Sequence, residues 1–206
     1  MFILKRRYWP NLLTLYRISS VPLLAYCWSY QTEFYDWISL LIYTLACLSD
    51  YLDGWLARHD KRTSNFGKML DPISDKIMVM AVLLLMVADR TIYGINLIPA
   101  MLILIREVGV SGMREFLSGL NVKVPVSKLA KWKTTTQMFA LGFLIVGIKE
   151  FYGIPVRAIG IVLLWIAASL TLITAYAYLK KSMPHISLDP LKEKILKKRR
   201  KQKRYK

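Results

Sequence analysis

The sequence predicts an all-α integral membrane protein, a bundle of six transmembrane helices with its candidate active site facing the cytoplasm. Three observations carry this. Of the 206 residues, 55% are hydrophobic, and the mean hydropathy is +0.35. The apolar residues fall into six runs, each near the ~20 residues a helix needs to cross a bilayer. Lys and Arg gather in alternate loops, the asymmetry that sets orientation. The length allows one membrane domain, 1–187 with a juxtamembrane segment at 1–10, and a basic tail at 188–206.

The first run, 12–30, follows Lys5, Arg6 and Arg7. Phe2, Ile3, Leu4 and Trp9 mix with these charges, so 1–10 reads either as a short interfacial helix or as a basic flank with aromatic anchoring. The second run, 37–56, ends in carboxylates, and the third, 67–88, begins with them. Arg58, Lys61 and Arg62 lie between the two, and Lys68 at the start of the third. The fourth run, 95–117, carries Arg106, Glu107, Arg114 and Glu115. The fifth, 131–148, opens on Lys131-Trp132-Lys133-Thr134-Thr135-Thr136-Gln137, and the sixth is 156–179. The remaining loops are poorer in base: Glu33 and Asp36, then Asp89 and Arg90, then Lys149, Glu150 and Arg157. Both termini and the carboxylates are therefore expected on the cytoplasmic side.

A formal net charge of +17 would suggest nucleic acid in a soluble chain. Here the charge concentrates in loops and tail, so topology and anionic lipid explain it first, with RNA a weaker alternative. Cys27 and Cys47 fall within apolar runs and imply no disulfide framework. No A-x-A-like cleavage site follows the first run, which favours a retained span. Gly109-x-Ser111-Gly112 lacks the spacing of a nucleophile elbow, and no phosphate-binding G-x-x-x-x-G-K-[ST] loop is present.

Asp50 and Asp53 are i and i+3, and Asp71 and Asp75 are i and i+4, so each pair shares a helix face. Pro72 disfavours helical geometry at Asp71, which allows a helix start or kink there. Gly54, one turn from Asp50, removes a side chain where a ligand can approach the backbone. Carboxylates in an apolar chain are costly and mark function. All these donors are hard oxygens, with no His or Cys in the spacing, which favours Mg²⁺ or Mn²⁺, two ions, over zinc or iron. Two ions between two helices suit in-line chemistry at phosphorus.

The pattern D-x2-D-G-x2-A-R-x8-G-x3-D-x3-D, met here by Asp50, Asp53, Gly54, Ala57, Arg58, Gly67, Asp71 and Asp75, resembles the signature of the CDP-alcohol phosphotransferases. The resemblance implies a six-helix membrane fold, a homodimer, and displacement of CMP from a CDP-linked lipid or alcohol by an acceptor hydroxyl. It implies Asp50, Asp53, Asp71 and Asp75 as metal ligands, with Asp75 also the catalytic base. It implies CDP contacts from Gly54, Arg58, Ser64 and Gly67, and from Asn11 and Thr14 at the start of the first helix. For Asn11 and Thr14, helix capping and a satisfied polar residue within a span remain equal alternatives.

Pro10-Asn11-Leu12-Leu13-Thr14-Leu15-Tyr16-Arg17 and the charged stretches of runs four and five resemble the family members that use sn-glycerol 3-phosphate as acceptor and CDP-diacylglycerol as donor. Arg106, Arg114, Lys131 and Lys133 would then hold the acceptor phosphate. Their alternative is a salt-bridge network that packs helices. The resemblance implies a multi-pass protein of a bacterial-type inner (cytoplasmic) membrane. Other acceptors (serine, inositol phosphate, phosphatidylglycerol) stay open within the class. Outside it stand an intramembrane cation transporter and a scaffold acting through its basic tail.

Overall fold

The structure, a computed structural model, describes residues 9–30, 32–59, 65–120, 122, 128–146 and 154–186. At 9–13, 50–59, 65–69, 71, 72, 75, 128, 185 and 186 only the backbone is described. The juxtamembrane residues 1–8 and the basic tail lie outside the described residues.

The described residues form six α-helices: α1 (Trp9–Trp28), α2 (Glu33–His59), α3 (Asn65–Ala88), α4 (Leu97–Gly119), α5 (Lys128–Ile145) and α6 (Val156–Ile186). A 3-10 turn, Gly94–Asn96, leads into α4. Each expected span falls on one helix. The helices α2 and α6 outrun their apolar stretches because the backbone stays helical through polar ends, such as Glu33 to Asp36 and the exposed Lys180 and Lys181. The proline at 72 starts no helix: α3 begins at Asn65 and continues through it. Proline removes one internal hydrogen bond, and the long flanking helix retains the rest.

Two groups of three helices make the bundle. The first has α1 packed against both α2 and α3; the second has α6 packed against both α5 and α4. They meet chiefly where α2 touches α5, with smaller contacts from α3 to α4 and α5. One apolar core runs through both groups, with Leu24 from α1, Tyr43 from α2, Leu83 from α3, Ile103 from α4, Leu141 from α5 and Leu164 from α6. The hydroxyl of Tyr43 donates to the Met138 carbonyl at 3.4 Å, which fixes α2 on α5. Gly160 brings α6 close to α5: a Cβ there would stand 2.8 Å from Leu144 Cγ.

One end of the bundle is closed by polar ties between loops and helices. The indole of Trp28 donates to Asp89 Oδ2 at 2.7 Å, and the Thr91 amide donates to Asp89 Oδ1 at 2.8 Å. Arg157 Nη2 donates to the carbonyls of Arg90 and Thr91 at 3.2 and 3.0 Å. Trp165 Nε1 donates to Asn96 Oδ1 at 3.0 Å. Arg90 takes the left-handed conformation, φ 62°, that this turn requires. Asp36 lies beside the same end; burial, then the charges of Asp89 and Glu33, push its carboxyl above the usual range. The carboxylate motif belongs to the opposite end.

The outer faces are apolar. Leu15 and Leu23 on α1, Leu41 and Leu48 on α2, Leu84 on α3, Ile105 on α4, Phe139 on α5 and Val162 on α6 are all exposed. Among the described residues, two helices are long and apolar enough to cross a membrane by length and composition, Gly94–Gly119 and Val156–Pro184.

Candidate active site

The first half of the site is set by backbone. Asp50, Asp53, Gly54 and Arg58 fall in the last turns of α2, and Gly67, Asp71 and Asp75 in the first turns of α3. The two series lie at one end of the bundle, separated in sequence by 60–64, which include Ser64 and lie outside the described residues. The side chains of the motif, and that of Asn11, also lie outside them. The donor set on these two helix ends fits a hard divalent cation: four carboxylates, no soft ligand, and helical register within each pair.

Beside that set stands a buried cation. Thr14 is fully buried on α1, and Arg17, one turn later, is 2% exposed. Arg17 Nη1 donates to Ser74 Oγ at 3.0 Å, so α1 is tied to the residue next to Asp75. A buried guanidinium is tolerated only where it is hydrogen-bonded and its charge is answered. Sequence reasoning quoted Arg17 in a motif but gave it no role. The available signal was a lone Arg one turn from Thr14 inside an apolar run. Lys76 donates to Ser111 Oγ, which links the residue after Asp75 to α4.

The second half lies among α4, α5 and α6. Glu107 Oε1 accepts from Arg106 Nη1 at 3.2 Å and from Lys133 Nζ. Arg106 Nη2 reaches Thr174 Oγ1 of α6 at 3.4 Å. The Lys133 side chain is 3% exposed, against 12% for Arg106 and 16% for Glu107. Three helices are thus held by one carboxylate oxygen and one hydroxyl. Of the four basic residues expected here, Arg106 and Lys133 are brought together. Arg114 lies two turns along α4, its guanidinium 5.9 Å from the Tyr178 ring centre. Lys131 is exposed on α5, away from the Glu107 contact. Gln137, Thr171 and Thr174 were not singled out as site residues, because isolated polar residues in apolar spans carry no periodic signal.

A family model described as CDP-alcohol phosphatidyltransferase matches residues 7–173. The chain belongs to that family. Curated relatives within the CDP-alcohol phosphatidyltransferases match nearly end to end. The CDP-diacylglycerol–glycerol-3-phosphate 3-phosphatidyltransferase of Rickettsia bellii is 43% identical over 171 residues, covering 83% of this chain and 93% of that protein. The protein of the same name from Haemophilus influenzae is 39% identical over 173 residues, covering 83% of this chain and 91% of its own. That from Cereibacter sphaeroides is 37% identical over 212 residues, covering 86% and 96%. The family match runs from α1 into α6, ending one residue before Thr174.

Proposed function

We propose that this chain transfers the phosphatidyl group of CDP-diacylglycerol to sn-glycerol 3-phosphate, forming phosphatidylglycerol phosphate and CMP. The observation that carries the acceptor is the buried cation pair, Arg106 and Lys133, in a chain whose relatives are named for glycerol 3-phosphate. A phosphate monoester needs charge and several donors, and a guanidinium with an ammonium supplies both.

Asp50, Asp53, Asp71 and Asp75 would hold two divalent cations, Mg²⁺ or Mn²⁺. When bound, such ions neutralise the diphosphate and stabilise the departing phosphate. The chain's own groups do the rest. Gly54, Arg58, Ser64 and Gly67, with Asn11 and Thr14, bind and orient the CDP portion. Arg106 and Lys133, with Arg114 farther along α4, hold the acceptor by its phosphate; Lys131, exposed on the other side of α5, is not part of that contact. Asp75 takes the proton from the acceptor's primary hydroxyl. That oxygen bonds to the phosphorus bearing diacylglycerol, the bond from this phosphorus to the CMP oxygen breaks, and CMP leaves with the electron pair. Arg17 holds Ser74, and with it the α3 turn that carries Asp75.

The same reading makes the chain a multi-pass protein of a bacterial-type inner membrane. Exposed apolar side chains on every helix support it, as does the Lys and Arg bias. Both termini and the carboxylate end face the cytoplasm, where nucleotide and glycerol 3-phosphate are dissolved. The working unit is a homodimer, and the tail at 188–206 is a basic surface segment outside the catalytic domain.

The test is CMP release by purified protein in detergent with CDP-diacylglycerol, Mg²⁺ and competing acceptors. Glycerol 3-phosphate should be used in preference to serine, inositol phosphate and phosphatidylglycerol. Release driven equally by serine would reassign the acceptor; no release by folded protein, with cation flux in vesicles, would replace the enzyme by a transporter.

A further inference from the structure

Around the Arg106–Glu107–Lys133 cluster, three buried polar atoms have no hydrogen-bond partner: Arg106 Nε, Gln137 Oε1 and Thr171 Oγ1. Gln137 is 3% exposed and Thr171 is 0% exposed. Gln137 follows Lys133 by one turn of α5, and Thr171 precedes Thr174 by one turn of α6, so each adjoins a cluster member on its own helix face. Burying an amide or hydroxyl without a partner costs free energy, and folded proteins rarely leave such groups unmatched. Three together beside a charged cluster indicate a site shaped for a polar ligand.

The cluster's charge narrows the ligand. Arg106 and Lys133 share one carboxylate oxygen, so Glu107 cancels part of their charge. A phosphate monoester carries three terminal oxygens, each able to accept more than one hydrogen bond, and some of the cations' N–H groups are already given to Glu107 and Thr174. The Nε–H of Arg106 is still free to donate; the hydroxyl of Thr171, one turn from Thr174, and the amide of Gln137, one turn from Lys133, are the nearest uncharged groups that can add to it. The amide turns about its last bond, so it presents either atom.

We infer that Gln137 and Thr171 form an uncharged floor to the acceptor site, donating hydrogen bonds to the acceptor's phosphate and selecting a phosphate monoester over an acceptor without one. This rests on the proposed assignment of Arg106 and Lys133 to that phosphate. It adds two specificity-determining residues from α5 and α6. The floor also gives a physical reason for polar atoms that a packed helix interface would exclude.

The experiment uses full-length protein in detergent and the variants Gln137→Leu, Thr171→Val and Thr171→Ser. A hydrogen bond to a charged group has a strength that makes its loss worth roughly tenfold in KM or more. KM for glycerol 3-phosphate should rise about tenfold in Gln137→Leu and in Thr171→Val. The value of kcat should change far less, and Thr171→Ser should keep the wild-type KM. Thermal unfolding without substrate supplies the second readout. Replacing an unpartnered buried polar group with an apolar one of similar shape should leave the unfolding temperature unchanged or raise it. Inorganic phosphate should raise that temperature in wild-type protein and less so in both apolar variants. Unchanged KM in both apolar variants overturns the inference. So does a lowered unfolding temperature with KM and kcat falling together, which would make the two residues packing elements. Wild-type protein that releases no CMP with glycerol 3-phosphate, yet is stabilised by phosphate through Gln137 and Thr171, would refute the acceptor reading and leave the anion floor standing.

Discussion

Glu107 holds two cations at once, which makes its removal more damaging than removal of either cation. Glu107→Ala leaves Lys133, 3% exposed, and Arg106, 12% exposed, facing each other without a counter-ion. Breaking a buried pair in this way costs about 3–5 kcal/mol. Lys133→Met is milder because Glu107 keeps Arg106 at 3.2 Å and is itself 16% exposed. Its cost is on the order of 1–3 kcal/mol, that of a lost hydrogen bond to a charged group. In the double variant the uncompensated lysine is gone and Arg106 keeps Thr174, so the total should fall short of the sum by about 2–3 kcal/mol. Equilibrium unfolding of the four proteins in detergent micelles measures this cycle. Costs that add to within about 0.5 kcal/mol would refute the reasoning, since they would make the contact energetically idle. Equal single costs would refute the shared-oxygen argument specifically.

Asp75→Asn keeps shape and removes the base, so transfer should fall by about 10²–10⁴-fold while thermal stability holds; a rate above a tenth of wild type removes the assignment. Asp36→Asn should raise thermal stability at neutral pH. The folded carboxyl is held above its ordinary value near 3.8, so the native state binds the proton more tightly and loses stability as pH rises from that value through the raised one. The gain from Asn should therefore vanish below the ordinary value, and a gain that persists in acid would point to another cause. Gly160→Val should cost about 1–3 kcal/mol of stability in the same unfolding assay, because its Cβ would meet Leu144 Cγ at 2.8 Å and the Leu144 backbone nitrogen at 3.3 Å. Wild-type stability would show that α5 and α6 can separate freely.

Helix number and order were legible because each helix carries an apolar run, although among the described residues only Gly94–Gly119 and Val156–Pro184 are long and apolar enough to cross a membrane. Ends were less so: Glu33 at the start of α2 and Lys180 near the end of α6 are polar, yet helical hydrogen bonding does not stop where hydropathy does. The helix start allowed at Pro72 does not occur, since a local preference at Asp71 is outweighed by turns on both sides. The helical register of the carboxylate motif was legible because its spacing is that of helix turns, and the backbone does place it on two helix ends. The cations of α4 and α5 stood out as charges in apolar runs, but not their shared partner. Glu107 reads in sequence as the neighbour of Arg106, and only the packing of α4 and α5 on α6 brings Lys133 to it. Gln137 and Thr171 carry no charge and no periodicity, and become informative only once burial leaves their polar atoms without partners.

The division into two three-helix groups has a chemical consequence. The carboxylate series is carried by α2 and α3, both packed on α1, whereas Arg106 and Lys133 are carried by α4 and α5, both packed on α6. Each group also balances charge locally: Glu107 answers Lys133 and Arg106 in one, and the buried Arg17, bonded to Ser74 beside Asp75, brings positive charge to the other. On the proposed assignment of the two residue sets, the seam between the groups, where α2 meets α5 and α3 meets α4, is where a donor diphosphate would meet an acceptor hydroxyl. Lys76, on α3 next to Asp75, crosses that seam to Ser111 on α4. A contact of this kind fixes the spacing between the halves, and spacing between donor and acceptor is what an in-line transfer most depends on.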